Sequence, residues 1–72
     1  MNRKKVFAER LASARAIKTW NKQALADRVH VSDVLVGYWE HGLRWPSIEK
    51  LIDLAETLEV STDWLLGLRD DP

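Results

Sequence analysis

Apolar residues between positions 21 and 40 recur at the spacings that bring side chains onto one face of a helix. Leu25 and Val29 lie four residues apart, and Val36 and Trp39 lie three apart. Such spacing is typical of amphipathic helices that bury one face. The pattern therefore predicts two short helices with a break between them.

Capping and small residues indicate how these two helices meet. Asn21 precedes the first helix and Ser32 the second, and both side chains accept hydrogen bonds from free N–H groups one turn later. Val31 lies in the turn, where its side chain is expected to pack between the two helices. Ala26 lies where the two helix axes are expected to come closest. Together these features predict a helix-turn-helix, a motif that presents one helix to the major groove of DNA.

The rest of the pattern predicts three further helices and no strand. Phe7, Leu11 and Ala14 form an apolar stripe before the motif, and Ser47 and Ser61 are caps for two helices after it. No stretch alternates with a period of two for long enough to form a strand. The predicted helices cover residues 4–18, 22–29, 33–41, 48–58 and 62–66.

Length and composition favour one small intracellular domain. The 72 residues suffice for a single domain over residues 1–72, and we expect Trp20, Trp39 and Trp64 in its core, with Trp45 outside. The chain has no cysteine, no apolar run near the ~20 residues that span a membrane, and no apolar run after its basic start. We therefore expect no disulfide, no membrane span and no signal peptide, and a cytoplasmic location.

Charge is divided along the chain, although the formal net charge is zero. Residues 1–30 carry eight Lys or Arg against two acidic residues, a net charge of +6, and residues 31–72 carry three against nine, a net charge of −6. A basic half of this kind can face phosphate groups while the acidic half faces away. Alternatively, the asymmetry serves only solubility or arises by chance.

The titratable residues form no pattern typical of catalysis or metal binding. His30 and His41 lie eleven residues apart, with no cysteine or carboxylate at metal-ligand spacing. No Ser–His–Asp constellation, glycine-rich phosphate loop or paired-carboxylate spacing occurs, and a tight bundle of this length leaves little room for a substrate pocket. We therefore expect no enzyme activity, no cofactor, no metal and no small-molecule substrate.

Several motifs together resemble one known family. They are Arg15, Asn21-Lys22-Gln23-Ala24-Leu25-Ala26, Val31-Ser32, Trp39-Glu40-His41-Gly42, Pro46-Ser47 and Asp63-Trp64-Leu65-Leu66-Gly67. Across residues 5–67 the chain looks like the DNA-binding domain of phage repressors and Cro-type regulators. The resemblance implies a compact, all-α, five-helix bundle of the lambda-repressor-like type. It also implies an internal ion pair between Arg15 and Glu40, and binding to double-stranded operator DNA as a two-fold homodimer.

The chain departs from that family at three turns and at the start of the second helix. The family often has glycine at the positions that Thr19, His30 and Glu59 occupy here. A non-glycine residue with a left-handed backbone is strained, most of all a β-branched one, so either these turns differ or the fold carries strain. Lys22 replaces the glutamine that often begins the second helix, and it can still neutralise a phosphate.

The outward face of the third helix carries candidates for contact with DNA bases, and two further candidates, Asp33 and Leu35, lie on the flanks of that face. The five candidates together are Asp33, Val34, Leu35, Gly37 and Tyr38. Valine and leucine pack on thymine methyl groups, a carboxylate accepts from the cytosine amino group, glycine permits close approach, and tyrosine reaches a base edge or a phosphate. This face lacks the Arg, Lys, Asn and Gln side chains that recognise bases by paired hydrogen bonds.

Polar residues on the segments beside that helix are candidates for phosphate contacts. They are Lys18, Asn21, Lys22, Gln23, Ser32, Arg44 and Trp45. The first N–H groups of the second helix form an anion site next to Asn21, and phosphate contacts supply affinity and register without sequence information. For Lys18 and Arg44 the alternative is a solvated surface charge.

Two hypotheses for function follow. In the first, the chain is a sequence-specific, repressor-like DNA-binding domain whose third helix enters the major groove. In the second, a repressor fold altered by evolution or by engineering uses an apolar patch to bind protein or to self-associate. That patch contains Val34, Leu35, Tyr38, Leu43 and Trp45. Salt discriminates between the two, because DNA binding weakens steeply with ionic strength and apolar association does not.

Overall fold

Five α-helices follow one another in the computed structural model, which describes residues 2–72. They are α1 (Arg3–Ile17), α2 (Lys22–Val29), α3 (Asp33–Glu40), α4 (Ile48–Leu58) and α5 (Thr62–Leu65). No strand occurs in the described range, and every helix boundary lies within one residue of its prediction. The all-α, five-helix prediction is therefore confirmed. The predicted domain over residues 1–72 also includes Met1, which lies outside the described residues.

Each of these helices begins with a side chain that caps it. Asn21, Ser32, Ser47 and Ser61 are the predicted caps, and each accepts a hydrogen bond from the N–H three residues on, at distances from 2.8 to 3.2 Å. Asn2, which the apolar pattern does not single out, caps α1 in the same way. Each cap satisfies one N–H group that helical geometry leaves without a partner. The start of each helix is therefore set by residues next to it in the sequence.

The core lies where the five helices converge. Its largest fully buried side chains are Phe7, Leu11, Leu25, Val29, Val36, Trp39, Leu54 and Leu65. Ala26 is fully buried in the same cluster, where a larger side chain would push α2 away from its neighbours. The predicted inner positions of the helix-turn-helix thus pack together with residues from α1, α4 and α5.

The tryptophans expected in the core differ in their burial. Trp39 is fully buried, whereas Trp20 and Trp64 are partly buried and pack at the edge of the cluster. The guanidinium of Arg28 lies 4.0 Å from the Trp20 ring centroid, and that of Arg10 lies 5.1 Å from the Trp64 centroid. A ring at the edge of a small core keeps one face available for a cation. These two tryptophans therefore belong to the boundary of the core.

A largely buried ion pair joins α3 to α1. The Nε and Nη2 atoms of Arg15 donate to the two carboxylate oxygens of Glu40 at 2.7 and 2.9 Å, and Nη1 donates to the Trp20 carbonyl at 2.8 Å. Only 18% of the Arg15 side chain and 5% of the Glu40 side chain are exposed. The hydrogen bond to Glu40 raises the pKa of the Arg15 guanidinium. The pair fixes the end of α3 through a bidentate contact between guanidinium and carboxylate, whose geometry allows a narrow range of orientations.

Three turns use a left-handed backbone at residues other than glycine. Thr19, His30 and Glu59 have φ angles of 63°, 61° and 59°. In the turn after α2, the Val31 N–H donates to the Ala26 carbonyl at 3.0 Å, a bond that closes the end of the helix. The turns therefore keep the left-handed geometry that glycine favours, and the fold carries the strain of side chains at these positions.

Replacing His30 by glycine is expected to stabilise the fold by ~0.5–1 kcal/mol, because glycine adopts a left-handed backbone without strain. His41 provides a matched control, since it is also the C-cap of a helix but has a φ of −91°. His41→Gly should destabilise the fold by ~0.5–1 kcal/mol, because it only adds backbone freedom to the unfolded chain. Urea unfolding measures both variants, and equal losses would show that His30 is not strained.

Glu40→Ala is expected to lower the free energy of unfolding by ~3 kcal/mol, because the largely buried Arg15 guanidinium would lose its partner. Asp71→Ala is the control. It breaks an ion pair in which the side chains of Arg69 and Asp71 are both more than half exposed, and such pairs contribute little. Thermal and urea unfolding provide the measurement. A loss in Glu40→Ala no larger than that in Asp71→Ala would contradict a structural role for the buried pair.

Candidate nucleic-acid interface

Helix α3 is buried along one side and exposed along the other. Val36 and Trp39 are 0% and 1% exposed, whereas Val34 and Tyr38 are 58% and 37% exposed. On its inner side the helix packs against α1 and α2. Residues four apart stand above one another on a helix, so Val34 and Tyr38 share one outward surface. α3 is thus held on one side and presents the other to solvent.

Four of the five candidates for base contact lie on this outward surface. Asp33, Val34 and Tyr38 are exposed, and Gly37 lies beside them one turn from Asp33. We refer to these four residues as the outer face of α3. Leu35 differs, because its side chain is partly buried and packs against the core. It therefore offers less surface to a ligand than Asp33, Val34 and Tyr38 do.

Gly37 leaves open space on the outer face. A Cβ atom built at this position would meet no atom within 4 Å, and the φ angle is not left-handed. The fold itself therefore does not require glycine here. Glycine inside a helix is destabilising by ~0.5–1 kcal/mol relative to alanine. What the missing side chain provides is room for another molecule to approach the backbone of α3.

The start of α2 is exposed and supplies hydrogen-bond donors. The Asn21 side chain accepts from the Ala24 N–H at 2.8 Å, and helical geometry leaves the N–H groups of Lys22 and Gln23 free for an anion. The Gln23 amide donates to Asp27 at 2.7 Å. The backbone and the Lys22 ammonium, more than the Gln23 side chain, are therefore the available donors at this end of α2.

Two more of the phosphate candidates, Lys18 and Ser32, also have partners within the fold. Lys18 Nζ donates to the Glu59 carboxylate, and this bond lowers the pKa of Glu59. Ser32 Oγ accepts from the Leu35 N–H at 3.2 Å, but its hydroxyl proton can still be donated. Lys18 is therefore the least available of the candidates, because a phosphate would have to displace Glu59.

The loop after α3 brings two further candidates back to the helices. The Arg44 guanidinium lies 4.8 Å from the centroid of the Tyr38 ring. Trp45 is 44% exposed, and the centroid of its ring lies 5.4 Å from that of the Phe7 ring, with an angle of 38° between the two ring planes. The spacing of apolar residues predicts neither the Arg44–Tyr38 contact nor the Trp45–Phe7 contact, because a loop has no regular repeat. Arg44 thus lies beside the outer face of α3, and Trp45 anchors the loop to α1.

Two surface depressions lie elsewhere and include no residue of the outer face. One of about 350 Å³ is lined mainly by apolar residues of α1, α4 and α5, and one of about 420 Å³ lies between α1 and the end of α3. Within residues 2–72, no three His, Asp or Glu residues are grouped as metal ligands. No helix of that range has the length and apolar character of a membrane span. The outer face itself lies along an exposed helix with donors on the neighbouring segments, which suits a groove lined by anions.

Comparison with known proteins identifies the family of this bundle. The family model for helix-turn-helix domains matches residues 11–65. A crystal structure of the P22 c2 repressor protein in complex with synthetic operator 9T, in the presence of Tl⁺, is similar to this chain. The TM-score is 0.84 and the identity 32%, and the match covers 88% of this chain and 96% of that chain.

Two relatives from Bacillus subtilis (strain 168) are similar over most of the chain. The uncharacterized HTH-type transcriptional regulator YobD is 31% identical over 93% of it, and the HTH-type transcriptional regulator AnsR is 36% identical over 82%. The match covers only 60% of YobD and 51% of AnsR, so the chain spans little more than half the length of these relatives. From the match over residues 11–65 and the shared fold, the chain belongs to the helix-turn-helix family.

Proposed function

We propose that this chain is a sequence-specific DNA-binding domain of the transcriptional-repressor type, with α3 in the major groove of duplex DNA. The observation that carries the proposal is the outer face of α3, where Val34 and Tyr38 are exposed on a helix whose other side is buried. The major groove admits one α-helix and displays a distinct pattern for every base pair. The similar P22 c2 repressor protein was crystallised in complex with a synthetic operator, which supports operator DNA as the partner of this chain.

The outer face suits recognition by shape and methyl contact more than by paired hydrogen bonds. Val34 would pack on thymine methyl groups, and Asp33 would accept from a cytosine amino group. The open space at Gly37 lets the groove come close to the α3 backbone. We give Leu35 a smaller part in base contact because its side chain packs against the core.

Phosphate contacts would lie on either side of α3. At one side are Asn21, the N–H groups of Lys22 and Gln23, and the Lys22 ammonium, with the Ser32 hydroxyl nearby in the chain. At the other side is the loop that carries Arg44 and Trp45. Such contacts set affinity and register. We leave Lys18 outside this set because it is paired with Glu59.

The proposed role is binding without catalysis, in the cytoplasm of a bacterium or a phage-infected cell. Relatives named as transcriptional regulators support this setting. Two-fold homodimers, which the family resemblance implies, would bind two half-sites related by the same symmetry. A symmetric operator sequence is therefore part of the proposal.

A second candidate function rests on the exposed apolar side chains near α3. Val34, Leu43 and Trp45 are 58%, 62% and 44% exposed. A surface of this kind also suits association with protein or with a second copy of the chain. Burial of apolar area does not release counterions. The two functions therefore differ in how strongly added salt weakens binding.

Selection from randomised duplex DNA, followed by titration of the winner and a scrambled duplex at several salt concentrations, tests the proposal. We expect an enriched, two-fold symmetric motif. We expect it to bind at least ~10³-fold more tightly than the scramble, with affinity that falls as salt rises. No enrichment, together with little affinity even at low salt, would contradict DNA binding and favour the apolar surface as a protein-binding site.

Val34→Ala is expected to weaken binding to the selected duplex by ~10-fold and to leave the scrambled duplex unchanged, because two buried methylene equivalents are lost from the base contact. Leu43→Ala is the matched control, since Leu43 is equally exposed but lies on the loop. It should change neither affinity. Equal losses on both duplexes for Val34→Ala would remove this residue from base recognition.

A further inference from the structure

A cation–π contact joins the outer face of α3 to the loop that follows it. The Arg44 guanidinium lies 4.8 Å from the Tyr38 ring centroid, within the range in which the ring attracts a cation. Both residues are exposed, and Tyr38 keeps 37% of its surface open to solvent. The stack therefore forms at the surface, next to the residues proposed to face DNA.

Backbone hydrogen bonds at the end of α3 bring Arg44 to this place. Gly42 has a left-handed φ of 72°, which reverses the chain direction. The Leu43 N–H then donates to the Tyr38 carbonyl at 2.9 Å, and the Gly42 N–H donates to the Trp39 carbonyl at 3.2 Å. This pattern is a typical glycine-terminated helix end. It places the residue after Leu43 beside the last turn of α3.

The other side of Arg44 is also held. The Trp45 ring packs 5.4 Å from the ring of Phe7, which is fully buried. Pro46 follows, and a proline keeps the preceding residue in an extended conformation. The backbone on both sides of Arg44 is thus anchored, and the direction of the Arg44 side chain depends on what it packs against. That partner is the Tyr38 ring.

The stack leaves the charge of Arg44 available. Within residues 2–72, Arg44 takes part in no ion pair, and a π face satisfies none of the five N–H donors of a guanidinium. The last turn of α3 contains no basic residue, so its carbonyl ends carry an uncompensated partial negative charge. A phosphate near this end of α3 would be repelled without a cation. Arg44 supplies that cation.

We propose that Tyr38 is a positioning residue for Arg44, and that its ring holds the guanidinium beside the end of α3, where it contacts a DNA phosphate. This inference rests on the proposed DNA-binding function and deepens it. Tyr38 then contributes to affinity for any duplex through Arg44, and its hydroxyl is not needed for the contact. The alternative, a Tyr38 that contacts a base edge, would contribute to the preferred sequence only.

The test compares Tyr38→Ala, Tyr38→Phe, Arg44→Ala and the double variant on the selected and scrambled duplexes over a range of salt. Loss of one phosphate contact lowers the salt slope by about 0.9. We expect Arg44→Ala to show this change on both duplexes. Tyr38→Ala should move the slope in the same direction and weaken both complexes by about two- to fivefold, the value of an exposed cation–π contact.

Two variants separate positioning from other roles of Tyr38. Tyr38→Phe keeps the ring, so it should retain the salt slope and the affinity of the unmodified chain. The double variant should lose no more affinity than Arg44→Ala alone, because Tyr38 acts through Arg44. Arg69→Ala is the charge-matched control, since Arg69 lies in the tail and pairs with Asp71. It should leave the slope unchanged, and circular dichroism verifies that each variant is folded.

Three outcomes would overturn the inference. One is an unchanged salt slope in Tyr38→Ala with weaker binding to the selected duplex alone, which would assign Tyr38 to base contact. Another is additive loss in the double variant, which would make the two residues independent. A third is loss of affinity in Tyr38→Phe, which would assign the contact to the hydroxyl. If the unmodified chain itself binds neither duplex, the proposed function fails and this inference fails with it.

Discussion

The position of α3 depends on the ion pair between Arg15 and Glu40. A buried ion pair adds little net stability compared with apolar packing, but its two parallel hydrogen bonds allow only a narrow range of orientations. Trp39, next to Glu40, is buried in the core. Its apolar packing holds α3 against the bundle, and the ion pair fixes the orientation of the helix end. Because Arg15 also bonds to the Trp20 carbonyl, the same guanidinium fixes α1, the approach to α2 and the end of α3. The outer face of α3 can recognise a ligand only if the orientation of the helix is fixed, and the ion pair fixes it.

The pairing of charges within the fold determines which cations of a chain with zero net charge remain available to an anionic partner. Seven basic side chains among residues 2–72 are bonded to carboxylates or backbone carbonyls within the fold, namely Arg3, Arg10, Arg15, Lys18, Arg28, Lys50 and Arg69. Lys22, at the start of α2, and Arg44, in the loop after α3, take part in no ion pair among residues 2–72. What matters for an anionic partner is therefore the placement of unpaired cations. The net charge of the whole chain gives no information about that placement.

Three left-handed turn positions carry residues other than glycine, whereas Gly37 lies where the fold does not require glycine. Thr19, His30 and Glu59 adopt left-handed φ angles, and the packed helices on either side of each turn hold them there despite the strain. Gly37, in contrast, lies in a helix interior with open space where a side chain would be. Glycine at such a position weakens the helix. This contrast supports the proposal that Gly37 serves contact at the outer face of α3 and not the fold itself.

The sequence by itself determined the number of helices, their boundaries and four of their caps, because these depend on residues one or two turns apart. The spacing of Leu25, Val29 and Val36 also determined which sides of α2 and α3 are buried. Only the tertiary structure decided that Lys18 forms an ion pair with Glu59 and that the Arg44 guanidinium lies over the Tyr38 ring. Both contacts depend on how turns and loops bring chain segments together in space. Hydrophobic periodicity does not predict the path of a turn or a loop, because that path follows from the packing of the whole chain.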